Sequence, residues 1–121
     1  MKWNIQFITD EAEDLYFSEI NLLSVYFSAA IYRTLERFEL GILPPKYIKA
    51  LRNGIYELKT SSSEGEFRTL FFYQAQFTIV ITHGFIKKTQ KIPDIHVKKA
   101  LRLRDTFFRI NPRRAQDENK H

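Results

Sequence analysis

The chain has 121 residues, no cysteine and a formal net charge of +5. This length suits one small domain, and the lack of cysteine excludes disulfides and thiolate metal sites. No apolar run approaches the length of a membrane span, and the acidic segment at residues 10–14 is unlike a signal peptide, so we expect a cytoplasmic protein without a membrane partner. The three histidines lack the spacing of metal ligands, and we expect neither a metal nor another cofactor.

The charge is distributed unevenly along the chain. Residues 1–50 carry a balance of −2, whereas residues 51–121 carry a balance of +7. Clustered lysine and arginine side chains bind polyanions because neutralising phosphates releases counterions. The second half therefore favours a nucleic-acid partner, with a merely solvated basic surface as the alternative.

The first 43 residues have the pattern of one strand and two helices. Residues 3–8 alternate apolar and polar side chains, as a half-buried strand does. Thr9 and Asp10 can cap a first helix, and we expect Asn21 to cap a second helix that Gly41 ends. The stripe expected to face the sheet from this second helix comprises Leu23, Tyr26, Phe27, Ala30, Ile31, Leu35 and Phe38.

Three strand patterns and a last helix follow. Residues 56–59, 67–73 and 77–82 alternate or are rich in β-branched and aromatic side chains, with a polar turn at 61–65 and a tight hairpin at 74–76. They predict an antiparallel meander. Pro93 and Asp94 suit the first turn of a helix. Its buried side is expected to comprise Val97, Ala100, Leu101 and Phe108. The whole predicts a single domain over residues 1–110 and a polar, flexible tail over 111–121.

The meander gathers the residues suited to chemistry. Glu57 and Lys59 point to one face of their strand, and Arg68 on the next strand can reach the same surface. Lys87 and Lys88 leave the third strand at its end. Metal-independent RNA cleavage needs cations around the phosphate and a base for the 2′-hydroxyl, so we take these five residues as catalytic candidates, with Glu57 as the possible base. The alternative is an exposed strand face on which Arg68 pairs with Glu57 or Glu66.

A second group surrounds the start of the last helix. Its lysines carry compact, rotatable charges that suit phosphates better than base edges, and its histidine can donate a proton or stack on a base. The expected RNA-binding residues are Lys91, His96, Lys98, Lys99 and Arg102. We expect His83 to be structural, and Tyr73 or Phe85 to be free to stack on bases.

Three blocks carry a family resemblance. They are residues 54–59 (GIYELK), 67–72 (FRTLFF) and 83–93 (HGFIKKTQKIP), the last being the most specific. Together they resemble the phage-derived, HigB-like toxins of the RelE/ParE superfamily, in which arginine is usual where Lys59 stands. The resemblance implies an α+β, RelE-like fold with an N-terminal strand, a helical hairpin, a three-stranded meander and a C-terminal helix. The matching positive positions are Lys59, Arg68, Lys87 and Lys88.

The resemblance also implies a function. It is that of a toxin of a type II toxin-antitoxin system, an mRNA interferase that acts as an endoribonuclease on messenger RNA in the ribosomal A site and inhibits translation. The implied partner is a cognate helix-turn-helix antitoxin that is HigA-like. The alternative is a ParE-like inhibitor of DNA gyrase without nuclease activity, and a third reading is a phage protein that only pairs with its antitoxin.

Overall fold

The computed structural model describes residues 2–88 and 91–111, so the expected tail lies outside it except for Asn111. Its elements are strand β1 (Asn4–Phe7), helices α1 (Asp10–Asn21) and α2 (Val25–Glu39), a short 3-10 helix (Pro45–Tyr47), strands β2 (Ile48–Ala50), β3 (Tyr56–Ser62), β4 (Gly65–Ala75) and β5 (Thr78–Lys87), and helix α3 (Asp94–Ile110). Among these described segments, no helix combines the length and apolarity required to cross a membrane.

The five strands form one mixed sheet in the order β1-β5-β4-β3-β2. β1 pairs with β5 in parallel, whereas β2, β3, β4 and β5 pair with their neighbours in antiparallel fashion. Helices α1 and α2 cover one face, and α3 covers part of the other. The α+β class, the meander and the RelE-like order of elements are thereby confirmed.

One strand was absent from the sequence prediction. β2 pairs with β3 at the sheet edge through Ile48, Lys49 and Ala50. Three residues directly after a 3-10 turn are too few to show a period of two, so this strand has no readable sequence pattern.

The helix caps differ in part from expectation. The side chain of Thr9 accepts a hydrogen bond from the Ala12 amide, as a capping residue should. Asn21 is the last residue of α1, and Ser24 caps α2 by accepting from the Phe27 amide at 3.1 Å. The prediction for Asn21 was wrong because no residue breaks α1 before it, and its side-chain Oδ1 instead accepts a hydrogen bond from the Tyr32 hydroxyl.

The stripe of α2 is confirmed at its centre. Phe27, Ile31 and Phe38 are buried against the sheet, but Tyr26 is 83% exposed. Tyr26 directly precedes the buried Phe27, and consecutive residues lie about 100° apart around a helix. The ring of Tyr26 therefore points to solvent.

The two turns of the meander lie close to their predicted places. Residues 63–64 separate β3 from β4, and residues 76–77 separate β4 from β5, with Phe77 at a φ of 58°. Leu70 pairs with His83 and Phe71 with Ile81, which leaves Thr82 as the extra residue of a β-bulge in β5. The bulge breaks the simple alternation of β5 just before His83.

Alternate side chains of the strands pack into two separate hydrophobic cores, one on each face of the sheet. Phe67, Phe71, Ile79 and Ile81 pack beneath α1 and α2. Leu70, Phe72 and Val80 pack beneath α3, where Val97 and Ala100 are buried and Leu101 and Phe108 are half-buried. The predicted buried side of α3 is thus confirmed.

Candidate active site

Strand register brings the predicted catalytic residues to one surface. Lys59 lies opposite Arg68, which lies opposite Phe85, and in the next row Glu66 lies opposite Lys87. Directly paired residues share a face of the sheet, and Glu57 shares it because it is two residues from Lys59. This face is the one that α3 partly covers. We call the set Glu57, Lys59, Glu66, Arg68 and Lys87 the charged face.

Arg68 is the buried centre of the charged face. Its two terminal nitrogens donate separately to the carboxylates of Glu57 and Glu66. Arg68 is only 5% exposed and Glu57 only 3% exposed. The guanidinium is therefore held in one orientation by two carboxylates, which is the ion-pair arrangement left open by the sequence.

Two atoms of this pair are buried without a partner among the described residues. They are Oε2 of Glu57 and Nε of Arg68. A buried polar atom without a hydrogen bond costs free energy, so hydrogen bonds among the described residues offset only part of the cost of burying this pair.

Lysines flank this buried pair. Lys59 and Lys87 are half-buried, and Lys88 is exposed just beyond the end of β5. The pKa of Glu66 is lowered, first by the hydrogen bond from Arg68 and further by the nearby charges of Arg68, Lys59 and Lys87, against some desolvation. Three cations against two carboxylates leave the charged face with an excess positive charge before Lys88 is added.

An aromatic stack adjoins the charged face at the start of α3. The ring of His96 lies parallel to that of Phe85, with centroids 3.7 Å apart and an interplanar angle of 2°. Phe85 is therefore already covered by His96, although Phe85 sits opposite Arg68. Tyr73 is used elsewhere, since it packs against Trp3, Tyr56 and Phe71 in the other core, so the expectation that it is free to stack on bases was wrong.

A chain of hydrogen bonds runs into this stack. Nδ1 of His83 lies 3.0 Å from the Thr82 hydroxyl oxygen, and Nε2 of His83 lies 3.1 Å from Nδ1 of His96. We call Thr82, His83 and His96 the histidine chain. Sequence reasoning missed it, because the bulge that turns His83 toward α3 leaves no recognisable pattern.

Both imidazoles are uncharged near neutral pH. Burial lowers the pKa of His83 to about 3, and the charges of Lys99 and His96 act in the same direction. The pKa of His96 is lowered for the same first reason, desolvation, with a further contribution from Lys99. Neutral imidazoles can accept protons, which the cations around them cannot.

The predicted RNA-binding residues do not form one cluster. Lys98 forms an ion pair with Asp94 at 3.0 Å, and Asp94 also pairs with Arg52. Lys99 is half-buried near the two histidines, whereas Lys91 and Arg102 are exposed. Among these five residues, His96 belongs to the histidine chain and Lys99 lies beside it.

A cavity adjoins the histidine chain but not the charged face. A cavity of about 200 Å³ lies between α1, β5 and α3, and His83 and Lys99 line it, but no member of the charged face does. An open, cationic surface suits a polymer that lies across it better than a small enclosed ligand.

A comparison of the sequence with protein families shows the family of this chain. Residues 18–105 match the family described as Phage derived protein Gp49-like (DUF891). The chain belongs to this family. The match spans the charged face and the histidine chain.

Two curated proteins show a further similarity. Each is named Probable endoribonuclease HigB1, and they come from two strains of Mycobacterium tuberculosis. Each is 28% identical over 99 residues, which cover 82% of this chain and 78% of the relative. The resemblance to HigB-like, phage-derived proteins that the sequence blocks indicate is thereby confirmed.

Proposed function

We propose that this chain is the toxin of a type II toxin-antitoxin pair and an endoribonuclease that cuts messenger RNA on the ribosome and so inhibits translation. The proposal rests mainly on the charged face, where Lys59, Arg68 and Lys87 lie in adjacent rows on one face of the sheet. Membership of the Gp49-like family and the similarity to proteins named as endoribonucleases support the same reading.

The cations of the charged face would act on the scissile phosphate. When the ribose 2′-oxygen attacks phosphorus, the pentacoordinate phosphate gains negative charge, and positioned cations stabilise it. Lys59 and Lys87 can turn their half-buried ammonium groups toward a phosphate from either side of Arg68. Arg68 is only 5% exposed and adds its positive charge from beneath them. Lys88 lies exposed just beyond the end of β5 and adds a further positive charge for the RNA backbone. No step requires a metal.

Glu57 has a different role in this proposal from that of the base expected from sequence. Its carboxylate is buried and accepts a hydrogen bond from Arg68, so it is poorly placed to meet a 2′-hydroxyl. We assign Glu57 and Glu66 to holding the guanidinium of Arg68 in a fixed orientation. Fixing a charge before the reaction is the usual source of electrostatic catalysis.

The residues around α3 would bind the RNA outside the cleavage point. Lysine and arginine side chains neutralise phosphates without reading the bases. His96 could add a contact with a nucleotide through the exposed part of its ring. The proposed RNA-binding residues remain Lys91, His96, Lys98, Lys99 and Arg102.

The proposed protein partner is a HigA-like, helix-turn-helix antitoxin, and the proposed location of the complex is the cytoplasm. Leu22, Val25 and Tyr26 are 86%, 79% and 83% exposed at the junction of α1 and α2. Neighbouring exposed apolar side chains favour a protein contact at this junction over one that only neutralises the charged face. Binding that salt does not weaken would support this placement, whereas a steep loss of affinity with salt would contradict it.

Cleavage of a defined messenger RNA by the purified chain tests the function. The chain is used untreated or after EDTA treatment and exchange into EDTA-free buffer, and it is incubated with the messenger alone or with the messenger on stalled ribosomes. We expect cuts only on ribosomes, at the same rate with the untreated and the EDTA-treated chain. Inhibition of DNA supercoiling by gyrase, with intact messenger in all samples, would contradict the proposal and favour the gyrase-inhibitor alternative.

A further inference from the structure

We infer that His96 is the general base of the reaction and that Thr82 and His83 are positioning residues that fix the tautomer of His96. This inference rests on the proposed function, since a base is needed only if RNA is cut. The two hydrogen bonds of the histidine chain and the bond from the Thr82 hydroxyl to the Leu70 carbonyl can all form at once in one assignment of protons. That assignment leaves an acceptor on the half-buried imidazole of His96.

The assignment starts at a carbonyl group. The Thr82 hydroxyl lies 3.2 Å from the backbone carbonyl oxygen of Leu70, which can only accept, so the hydroxyl donates its proton there. The same hydroxyl oxygen lies 3.0 Å from Nδ1 of His83. With its proton committed to Leu70, the hydroxyl accepts in this second bond, and His83 carries its proton on Nδ1.

The next bond transfers this constraint to His96. A neutral imidazole with a proton on Nδ1 has a lone pair on Nε2. Nε2 of His83 lies 3.1 Å from Nδ1 of His96, so His96 must donate from Nδ1. The neutral ring of His96 then has its lone pair on Nε2, which is the atom that could take a proton from RNA.

The surroundings keep this arrangement in place. Thr82 is only 1% exposed, and its position in the β-bulge fixes the first donor. The flat stack on Phe85 fixes the plane of the His96 ring. Lys99 faces both histidines and disfavours their protonation, while Lys98 and Asp94 in the same helical turn pair with one another.

The position of His96 relative to the charged face suits a base. Phe85, on which His96 stacks, lies directly opposite Arg68. A phosphate held by the cations of the charged face would therefore lie beside the imidazole. A base and stabilising cations on adjoining parts of one surface are what a 2′-hydroxyl attack requires.

The step balances in atoms and charge. Nε2 of His96 takes the proton of the 2′-hydroxyl while the 2′-oxygen forms a bond to phosphorus. The bond from phosphorus to the 5′-oxygen breaks, the 5′-oxygen takes a proton from water, and the imidazolium returns its proton to solvent. The products are a 2′,3′-cyclic phosphate and a 5′-hydroxyl, and no other reactant is consumed.

The tautomers can be read without any reaction. In the full chain labelled with ¹⁵N-histidine, long-range nitrogen–proton spectra at pH 7 should show His83 and His96 both protonated on Nδ1. Resonances are assigned with His96→Gln and His83→Gln variants. A His96 protonated on Nε2 would overturn the inference even if the protein cuts RNA.

The Thr82→Val variant tests the positioning role. Valine keeps the shape but gives His83 no acceptor for its Nδ1 proton, so the populations of both tautomers should shift toward Nε2. We expect the cleavage rate at saturating RNA to fall roughly 10- to 100-fold, by analogy with the loss of a group that orients a metal-binding imidazole, with RNA affinity retained. Thr60→Val is the matched control, because Thr60 is buried in β3 on the other face of the sheet. Equal rates in the two variants would contradict the inference.

The His96→Gln variant tests the base itself. Its cleavage rate should fall about 10²- to 10⁴-fold, the usual contribution of a general base, with RNA affinity changed much less. Full activity in His96→Gln would overturn the assignment of the base. If the unaltered chain cuts RNA in no sample, both the proposed function and the assignment of His96 as the base are overturned. If His96 is protonated on Nε2, only the inference about His96 is overturned.

Discussion

The two faces of the sheet are built from the same strands, yet they differ sharply in what they contain. The face beneath α1 and α2 is closed by aromatic and aliphatic side chains, and a buried hydrogen bond of 2.7 Å joins the hydroxyls of Tyr16 and Thr69 across it. The face toward α3 carries apolar side chains where the helix covers it, and next to the helix it carries the ion pairs of the charged face. Neighbouring residues of a strand point to opposite faces. Phe67 therefore packs in the core on one face, whereas Arg68, the next residue, lies on the charged face.

The largest effect should come from the closed face. Replacing Phe71 by alanine removes a ring with no exposed surface that contacts Phe38, Tyr56 and Tyr73. We expect the free energy of unfolding to fall by about 3–5 kcal/mol, the usual cost of deleting a buried aromatic ring. Urea denaturation measures it. A loss below about 1 kcal/mol would show that this face is not the main core.

The next effect should come from the buried pair on the charged face. Glu57→Leu leaves Arg68 buried with only Glu66 as its partner, and we expect a loss of about 3 kcal/mol, at the lower end for a broken buried pair. The double variant Glu57→Leu with Arg68→Met should recover much of this stability, because no buried charge is then left unpaired. Cleavage should be lost in the double variant. Recovery of both stability and cleavage would show that Arg68 has only a structural role.

A smaller effect should follow from crowding the closed face at Gly84. A Cβ there would lie 2.6 Å from the Phe67 ring and 2.8 Å from the Tyr16 ring. We expect Gly84→Ala to lower the free energy of unfolding by about 1–3 kcal/mol, as is usual for an overpacked core. Thermal unfolding by circular dichroism measures the loss. An unchanged melting temperature would mean that the two rings can move apart freely.

The smallest effect concerns pH and the histidine chain. The pKa of His83 is depressed to about 3 in the folded protein, below its ordinary value, so the unfolded chain binds a proton first as the pH falls. The contribution of neutral His83 to the free energy of unfolding is fully present above about pH 6.5 and is lost as the pH falls toward 3. Between pH 7 and pH 5.5 we expect a loss of about 1 kcal/mol.

Urea denaturation at several pH values checks this sign. His83→Gln should show a shallower decline below pH 6.5, although the lowered pKa of His96 contributes in the same direction and keeps some of the slope. Stability that rises as the pH falls from 7 to 5.5 in the unaltered chain, but not in His83→Gln, would contradict the buried, neutral state of His83.

The sequence was sufficient for features that depend on periodicity. Alternation in the strands placed Glu57, Lys59 and Arg68 on one face, and the apolar repeat of α2 placed Phe27 and Ile31 in the core. Both follow from side-chain directions that every strand and helix imposes.

Features that depend on contacts between distant segments were not readable. The sequence suggested that Arg68 pairs with Glu57 or Glu66, but the burial of Arg68 between both carboxylates depends on β3 bringing Glu57 beside β4. The histidine chain requires a bulge at Thr82 and the first turn of α3 in one place. Neither a local pattern nor a residue spacing predicts such meetings, so His83 was interpreted as merely structural.

The most direct test of the central claim compares two double variants of equal charge. Lys59→Gln with Lys87→Gln removes two cations from the charged face, whereas Lys2→Gln with Lys46→Gln removes two exposed cations elsewhere. On messenger RNA bound to ribosomes, we predict at least a roughly 100-fold lower cleavage rate for the first variant, as for the loss of positioned donors to a transition state. The second should cut within about twofold of the unaltered chain, because exposed charges outside the site contribute little. Equal cleavage by the two variants would contradict the claim that the charged face is where RNA is cut.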